Sequence, residues 1–296
     1  MPQTAMPPPS TETMRDHVLA CLFQHRVAST DQLQRMLRPT PHPESLRRTL
    51  RGLRRAALAE SVDRRHQPSV WALTAAGRGL VLKWPQFRGR RTYLNDLSGA
   101  RSAHTLTVTR TALSFLADAQ TRRDEFGPLD WMPEVAHPVR DGAADGDRML
   151  VADALLRYAR TSPTRTLLRA FVEVDRATES SERLASKVIT YARFHTHVPV
   201  AGRRGALDTS GIASWQRSYP VFPRLLFVLT GAGPRALAQR VADLRAIVRE
   251  HPLAERFAEE VPVGAAVLEE IEERGPSAPV WWPLADRQGR CSWMEL

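Results

Sequence analysis

Apolar positions recur at helical spacing soon after the chain begins. Val18, Leu19, Leu22 and Phe23 place a first helix at about residues 12–25. Ser29 or Thr30 can cap a second helix that turns Leu33, Met36 and Leu37 inward, and the stretch from Pro39 to Pro43 ends it. A third helix, at about 44–58, lines up Leu46, Leu50 and Leu53 on one side and gives the rest of its surface to Arg47, Arg48, Arg51, Arg54 and Arg55. Two short apolar runs then flank a tip holding Arg64, Arg65, His66 and Pro68, which is the pattern of a β-hairpin. Thr74 can cap one more short helix through Gly77 and Leu80.

From residue 100 the period switches between helix and strand. A helix is predicted at about 101–119 (Leu106, Leu113, Phe115, Leu116), then strands near 129–136, 149–156 and 167–175. A helix at about 180–195, a strand at 225–229 and a helix at about 234–249 follow. The order αβββαβ followed by a helix predicts an α/β sandwich with a mixed sheet, because its late β-α-β step needs a crossover helix. The last 46 residues offer a short acidic helix at 268–274 and an apolar strand at 280–284. Trp281, Trp282 and Trp293 there read first as packing, with base stacking as the alternative.

Composition narrows the class. Of 296 residues, 43% are hydrophobic and 25% charged, a balance that supports a sizeable core and excludes disorder throughout. No apolar run approaches the ~18 residues a membrane helix needs, and the opening MPQTAMPPPS lacks a charged-then-apolar leader. A cytoplasmic protein without a membrane partner is expected, with a disordered Pro-rich tail at 1–11. Cys21 and Cys291 stand far apart with no CxxC, so neither a disulfide framework nor a structural zinc site is available.

Charge is distributed unevenly. Residues 1–110 hold 18 Lys and Arg against 7 Asp and Glu, a net of +11, while the other 186 hold 24 against 25, a net of −1. A basic block beside a neutral remainder is the footprint of one domain that contacts phosphates and another with a different task. The three helices and hairpin resemble a winged helix, and Trp71-Ala-Leu-Thr-Ala-Ala-Gly77 resembles the end of many bacterial winged-helix domains. That resemblance implies that Arg47, Arg48, Arg51, Arg54 and Arg55 on the third helix and Arg64 and Arg65 on the wing contact double-stranded DNA, divided between base edges and phosphates. A solvated basic face on a helical bundle is the plainer alternative.

Two acidic positions stand out in the second part. Met149-Leu-Val-Ala-Asp153-Ala-Leu-Leu sets an acid inside an apolar strand, where an unpaired charge is costly. In Leu167-Leu-Arg-Ala-Phe-Val-Glu173-Val-Asp175-Arg, alternation gives Glu173 and Asp175 one face and Val172 and Val174 the other. Here the chain resembles the PD-(D/E)XK nuclease superfamily, whose αβββαβ core carries an Asp on the second strand and an acid-x-Lys on the third. The resemblance implies Mg²⁺, with Mn²⁺ as a substitute, held by Asp153 and Glu173 with the Val174 carbonyl as a further ligand. It departs from the motif in two places: Ala152 replaces the Pro, and Asp175 occupies the Lys position. Some members move the Lys to the following helix, where Lys187 lies, one of only two lysines in the chain. Lys187 and Asp175 are thus the implied catalytic positions, and Tyr191 sits one turn beyond Lys187 on the same face. Ion pairing of the acids to Arg157, Arg176 or Arg183 is the structural alternative.

Over nearly its whole length the chain resembles the actinobacterial plasmid replication-relaxation family. The pieces are the Leu-Thr-x-x-Gly end of the winged helix, His104-Thr-Leu, Ala152-Asp153-Ala154, Phe171-Val-Glu-Val-Asp-Arg-Ala-Thr-Glu-Ser-Ser, Lys187 with Tyr191, and Gly275-Pro-Ser-Ala-Pro-Val-Trp281. The resemblance implies a protein of plasmid replication and DNA relaxation, with Mg²⁺-dependent nicking or cleavage as the expected activity. A non-catalytic initiator or regulator on a degenerate nuclease fold is the alternative. Expected boundaries are 12–92 for the winged helix, 93–250 for the nuclease-like domain and 251–296 for an extension docking on it. Plasmid DNA and a second copy of the chain, as a homodimer, are the expected partners. His195-Thr-His197 is a poor match to a relaxase metal pair, and Gly231-Ala-Gly233-Pro lacks the Lys-Ser/Thr of a P-loop.

Overall fold

The computed structural model describes residues 13–37, 40–90, 97, 99–139, 148–198 and 212–296, and forms a mixed α/β protein with two separate sheets. The expected tail at 1–11, Pro39 and the expected boundary at 92–93 lie outside the described residues. Two compact units divide the chain: Met1–Leu113 with Gly127–Leu129, and Ser114–Phe126 with Asp130–Leu296.

The first unit opens with α1 (Met14–His25), β1 (Val27–Ser29), α2 (Thr30–Met36) and α3 (Pro43–Arg55). Thr13 and Ser29 each close a capping box, with Asp16 and Gln32 returning the bond. Next come β2 (Ala59–Arg64), β3 (Gln67–Leu73) and α4 (Ala75–Val81). β3 is the centre of a three-stranded antiparallel sheet ordered β1-β3-β2. The Leu-Thr-x-x-Gly string has a mechanical basis. Thr74 Oγ1 accepts from the Gly77 N–H at 3.1 Å and donates to the Ala57 carbonyl at 2.6 Å. A Cβ on residue 77 would lie 2.0 Å from the Leu58 carbonyl oxygen, so only glycine lets α4 seat this closely.

α5 (Gly99–Arg122) runs across the division between the units. The second unit continues with β4 (Trp131–Val139), β5 (Arg148–Arg160), β6 (Thr166–Asp175), α6 (Ser181–Thr196), β7 (Arg224–Leu229) and α7 (Pro234–Glu250). It ends with α8 (Pro252–Glu260), β8 (Val263–Val267), α9 (Leu268–Arg274) and β9 (Trp282–Pro283). Six strands form one sheet in the order β4-β5-β6-β7-β8-β9. β4, β5 and β6 pair antiparallel; β6-β7 and β7-β8 are parallel, each joined through helices. α8 and β8 are additions to the predicted order, and through β8 and β9 the last 46 residues extend the sheet itself.

Both faces of this sheet are covered. On one, Phe171, Leu225, Phe227, Leu229 and Ala265 pack with Leu184, Val188 and Tyr191 of α6 and with apolar residues of α7 and α8. On the other, Phe115 of α5 contacts Trp131, Trp281 and Trp293, all three fully buried. Trp281 and Trp293 therefore belong to the core, and their rings are closed to base stacking. The Gly275–Trp281 string is likewise structural. Gly275 takes φ 83° against Asp118, Ser277 Oγ donates to Asp118, and Trp281 Nε1 donates to the Pro276 carbonyl at 2.8 Å.

Candidate functional site

The basic residues of the first unit are displayed by simple helical geometry. Leu46, Leu50 and Leu53 are buried on one side of α3, which turns Arg47, Arg48, Arg51, Arg54 and Arg55 to the exposed side. Glu44 accepts from Arg51 and lies 3.9 Å from Arg47, so two of the five are partly neutralised within the helix. Arg48, Arg51, Arg54 and Arg55 line one open groove. On the β2-β3 hairpin, Arg65 and His66 form the exposed tip and His66 takes φ 59°. Arg64 is half-buried with Nη2 at 3.5 Å from Ser102 Oγ.

In the second unit the acids gather where two strands part. β5 pairs with β6 from Ala154↔Val172 onward, while its earlier residues stay paired with β4 as far as Val139↔Arg148. At this fork the Asp153 side chain replaces a backbone partner, Oδ2 accepting the Val174 N–H at 2.8 Å. N–H and C=O of one strand residue project to the same side, so the Val174 carbonyl also faces the opened β5 side.

Glu173, adjacent on β6, is 3% exposed. Its Oε1 accepts from the Tyr191 hydroxyl at 2.6 Å and its Oε2 from the Lys187 ammonium at 3.0 Å, both side chains arriving from one face of α6. Burial first, and then the Asp153 charge, push the Glu173 carboxyl up to about 7, against the opposing pull of Lys187 and Tyr191. Burial works to lower the Lys187 pKa, but the charges of Glu173 and Asp153 outweigh it and hold the ammonium protonated. Burial, reinforced by Glu173, raises Tyr191 well above its ordinary value, so its hydroxyl is a donor here and its ring is fully enclosed.

Asp175 shares the strand but not this set of partners. It is 3% exposed, receives Arg240 from α7, and accepts the N–H groups of Thr178 and Glu179 through Oδ1, each at 3.2 Å. Arg240 also donates to the Glu179 carbonyl. These bonds fix the loop after β6, in which Ala177 takes φ 57°, and they aim Glu179 back at Lys187. Glu179 Oε2 lies 3.2 Å from Lys187 Nζ as an ion-pair contact without hydrogen-bond geometry. Arg183 is 3.8 Å from the other Glu179 oxygen. Of the expected residues, Asp153, Glu173 and Lys187 come together, while Asp175 turns to a separate cation.

Glu179 and Arg240 are the contributors that sequence reasoning missed. Arg240 is 65 residues from Asp175, and no local pattern sets it apart from the other arginines of α7. The pair His195 and His197 straddles the end of α6; the His195 ring stacks on Trp215 with centroids 5.7 Å apart and sits 3.7 Å from Glu260. Among the described residues no three His, Cys, Asp or Glu side chains assemble into a metal-binding group, and no helix is long and apolar enough to cross a membrane.

No curated protein and no solved structure shows significant similarity to the chain. The replication-relaxation family model matches residues 19–208, nearly two thirds of the sequence, and the chain belongs to that family, which suggests a role in plasmid replication or relaxation.

Proposed function

We propose that the chain binds double-stranded plasmid DNA through its first unit and cleaves a phosphodiester at the Asp153–Glu173–Lys187 cluster. In this proposal residues 12–92 are a winged helix, α3 enters the major groove, and the β2-β3 hairpin lies along the backbone. The second unit, whose sheet continues through β8 and β9, is a PD-(D/E)XK-type nuclease core. The observation that carries the proposal is the position of Lys187. The lysine missing from the third strand is supplied from α6, at 3.0 Å from Glu173, where it answers the departure at Asp175.

The donor set fits a hard divalent cation. Asp153, Glu173 and the Val174 carbonyl offer oxygen only, and Mg²⁺ characteristically takes one or two carboxylates and keeps several waters, so a third acidic side chain is not required. Burial first and then the Asp153 charge raise Glu173, and a divalent cation held by these residues would relieve the second of the two. When bound, Mg²⁺ or Mn²⁺ would polarise a phosphoryl oxygen and lower the pKa of a bound water. The chain's own residues do the rest. The Tyr191 hydroxyl fixes the Glu173 carboxylate in one orientation. Lys187, 30% exposed where Glu173 is closed, presents a positive charge toward solvent and offsets charge that develops on a phosphate oxygen. Asp175 is a positioning residue, holding the loop that carries Glu179.

Manganese titration followed by electron paramagnetic resonance tests the metal arm. The natural chain is expected to quench the signal of free Mn²⁺ with a stoichiometry of about one, and Asp153→Ala to leave it unquenched; equal quenching by both proteins overturns the assignment.

A further inference from the structure

Arg157 on β5 and Arg169 on β6 stand directly opposite each other in the antiparallel ladder. Like charges so placed, with Cβ atoms about 5 Å apart, repel and destabilise the sheet. Neither has an ion pair with a carboxylate among the described residues. Alternation puts both on the sheet face that carries Leu155 and Phe171, with Arg157 exposed and Arg169 half-buried at its end.

A polar pair packs on Phe171, on the same face of the sheet. Tyr219 is 6% exposed, its ring packs edge-on against Phe171 with centroids 5.5 Å apart, and its hydroxyl is 2.9 Å from His137 Nε2. Burial pushes His137 down to about 4, so the ring is neutral and adds no charge. Burial raises the Tyr219 hydroxyl to about 12 while the Arg157 and Arg169 guanidiniums pull the other way, which places both within electrostatic reach of it. Two guanidiniums without a carboxylate partner among the described residues thus stand opposite each other within electrostatic reach of a buried phenol.

We infer that Arg157 and Arg169 form a phosphate-binding site for a nucleic-acid backbone. Guanidinium forks meet phosphate oxygens in bidentate fashion, and one anion between two of them removes the repulsion. Arg169 lies four residues before Glu173, about 13 Å along β6. The site is separate from the Asp153–Glu173–Lys187 cluster and does not depend on cleavage there.

The test uses the full chain carrying Arg51→Ala and Arg55→Ala, so that α3 contributes less, with and without Arg157→Gln plus Arg169→Gln. Affinity for a fluorescent DNA oligonucleotide is measured by anisotropy over a range of salt. Loss of two phosphate contacts is expected to lower the log–log salt slope by about 1.4–1.8, and the corresponding double Lys variant to keep it. The melting temperature of the Gln variant is expected to hold or rise, since repulsion is removed. An unchanged slope overturns the inference. So does a fall in melting temperature beyond about 4 °C, which would make the arginines structural. Inorganic pyrophosphate separates the ligand sources: a change in its binding with no change in the DNA slope overturns the assignment to nucleic acid. Loss of slope alongside unaltered plasmid cleavage leaves this site standing and the cleavage cluster independent of it.

Discussion

Replacing Lys187 with Met removes one charge and keeps an unbranched stem, so the result measures the ammonium itself. Its Nζ lies 3.0 Å from Glu173 Oε2 and 3.2 Å from Glu179 Oε2. At an effective dielectric of 20, opposite charges 3 Å apart attract by about 5 kcal/mol. Little of that is lost at low pH, because the carboxyl, already near 7, takes up a proton in place of its partner. At about pH 6 the expected destabilisation is about 1 kcal/mol, one hydrogen bond. At about pH 8.5 the natural chain holds a charged pair, whereas the variant must bury an unpaired carboxylate, and the cost approaches the 3–5 kcal/mol of a broken buried pair. The sign follows from linkage. Glu173 has an ordinary pKa of 4.5 when unfolded and a raised one when folded, so the folded state binds the extra proton. Stability is therefore lost as pH rises from the unfolded value through the folded one, and raising the folded value in the variant carries that loss further above 7. Urea unfolding of both proteins at the two pH values, with a chelator present, reads the difference. Equal destabilisation at both, or a larger one at the lower pH, refutes the reasoning.

Three further outcomes are expected. Gly77→Ala gains about 1 kcal/mol of helix propensity but sets a Cβ against the Leu58 carbonyl, for a net loss of about 1–2 kcal/mol in thermal unfolding; a stabilised variant contradicts the close approach. Arg240→Met leaves the buried Asp175 without its cation and is expected to cost about 3–5 kcal/mol, most of it recovered by adding Asp175→Asn; absence of rescue in denaturant unfolding removes the charge explanation. Arg51→Ala with Arg55→Ala in the otherwise natural chain is expected to lower the salt slope of duplex binding by about 0.9 per lost phosphate contact, and an unaltered slope moves the DNA surface away from α3.

The parts of the chain whose partners are local were legible in the sequence. α3 announces itself because three leucines three and four residues apart leave every other position to arginine. Glu173 stood out as an acid in an apolar strand, and Lys187 and Tyr191 as one-turn neighbours on a helix; both kinds of signal lie within a few residues. α8 and β8 were missed for a physical reason. Val263-Gly-Ala-Ala-Val267 is a short parallel strand, largely buried, so it lacks the apolar–polar alternation of a half-exposed strand. Asp175 shares a face with Glu173, as alternation requires, yet its partners come from α7 and the following loop. Which cation answers which acid is decided by how α6 and α7 pack on the sheet, and that is tertiary information.

Cleavage at the strand fork is the central claim, and supercoiled plasmid tests it most directly. The natural chain with Mg²⁺ is expected to yield relaxed or linear product, and none with chelator. Asp153→Ala and Lys187→Met, each shown by gel shift still to bind the plasmid, are expected to leave it supercoiled. Relaxation by all three proteins alike, or by none of them, would contradict it.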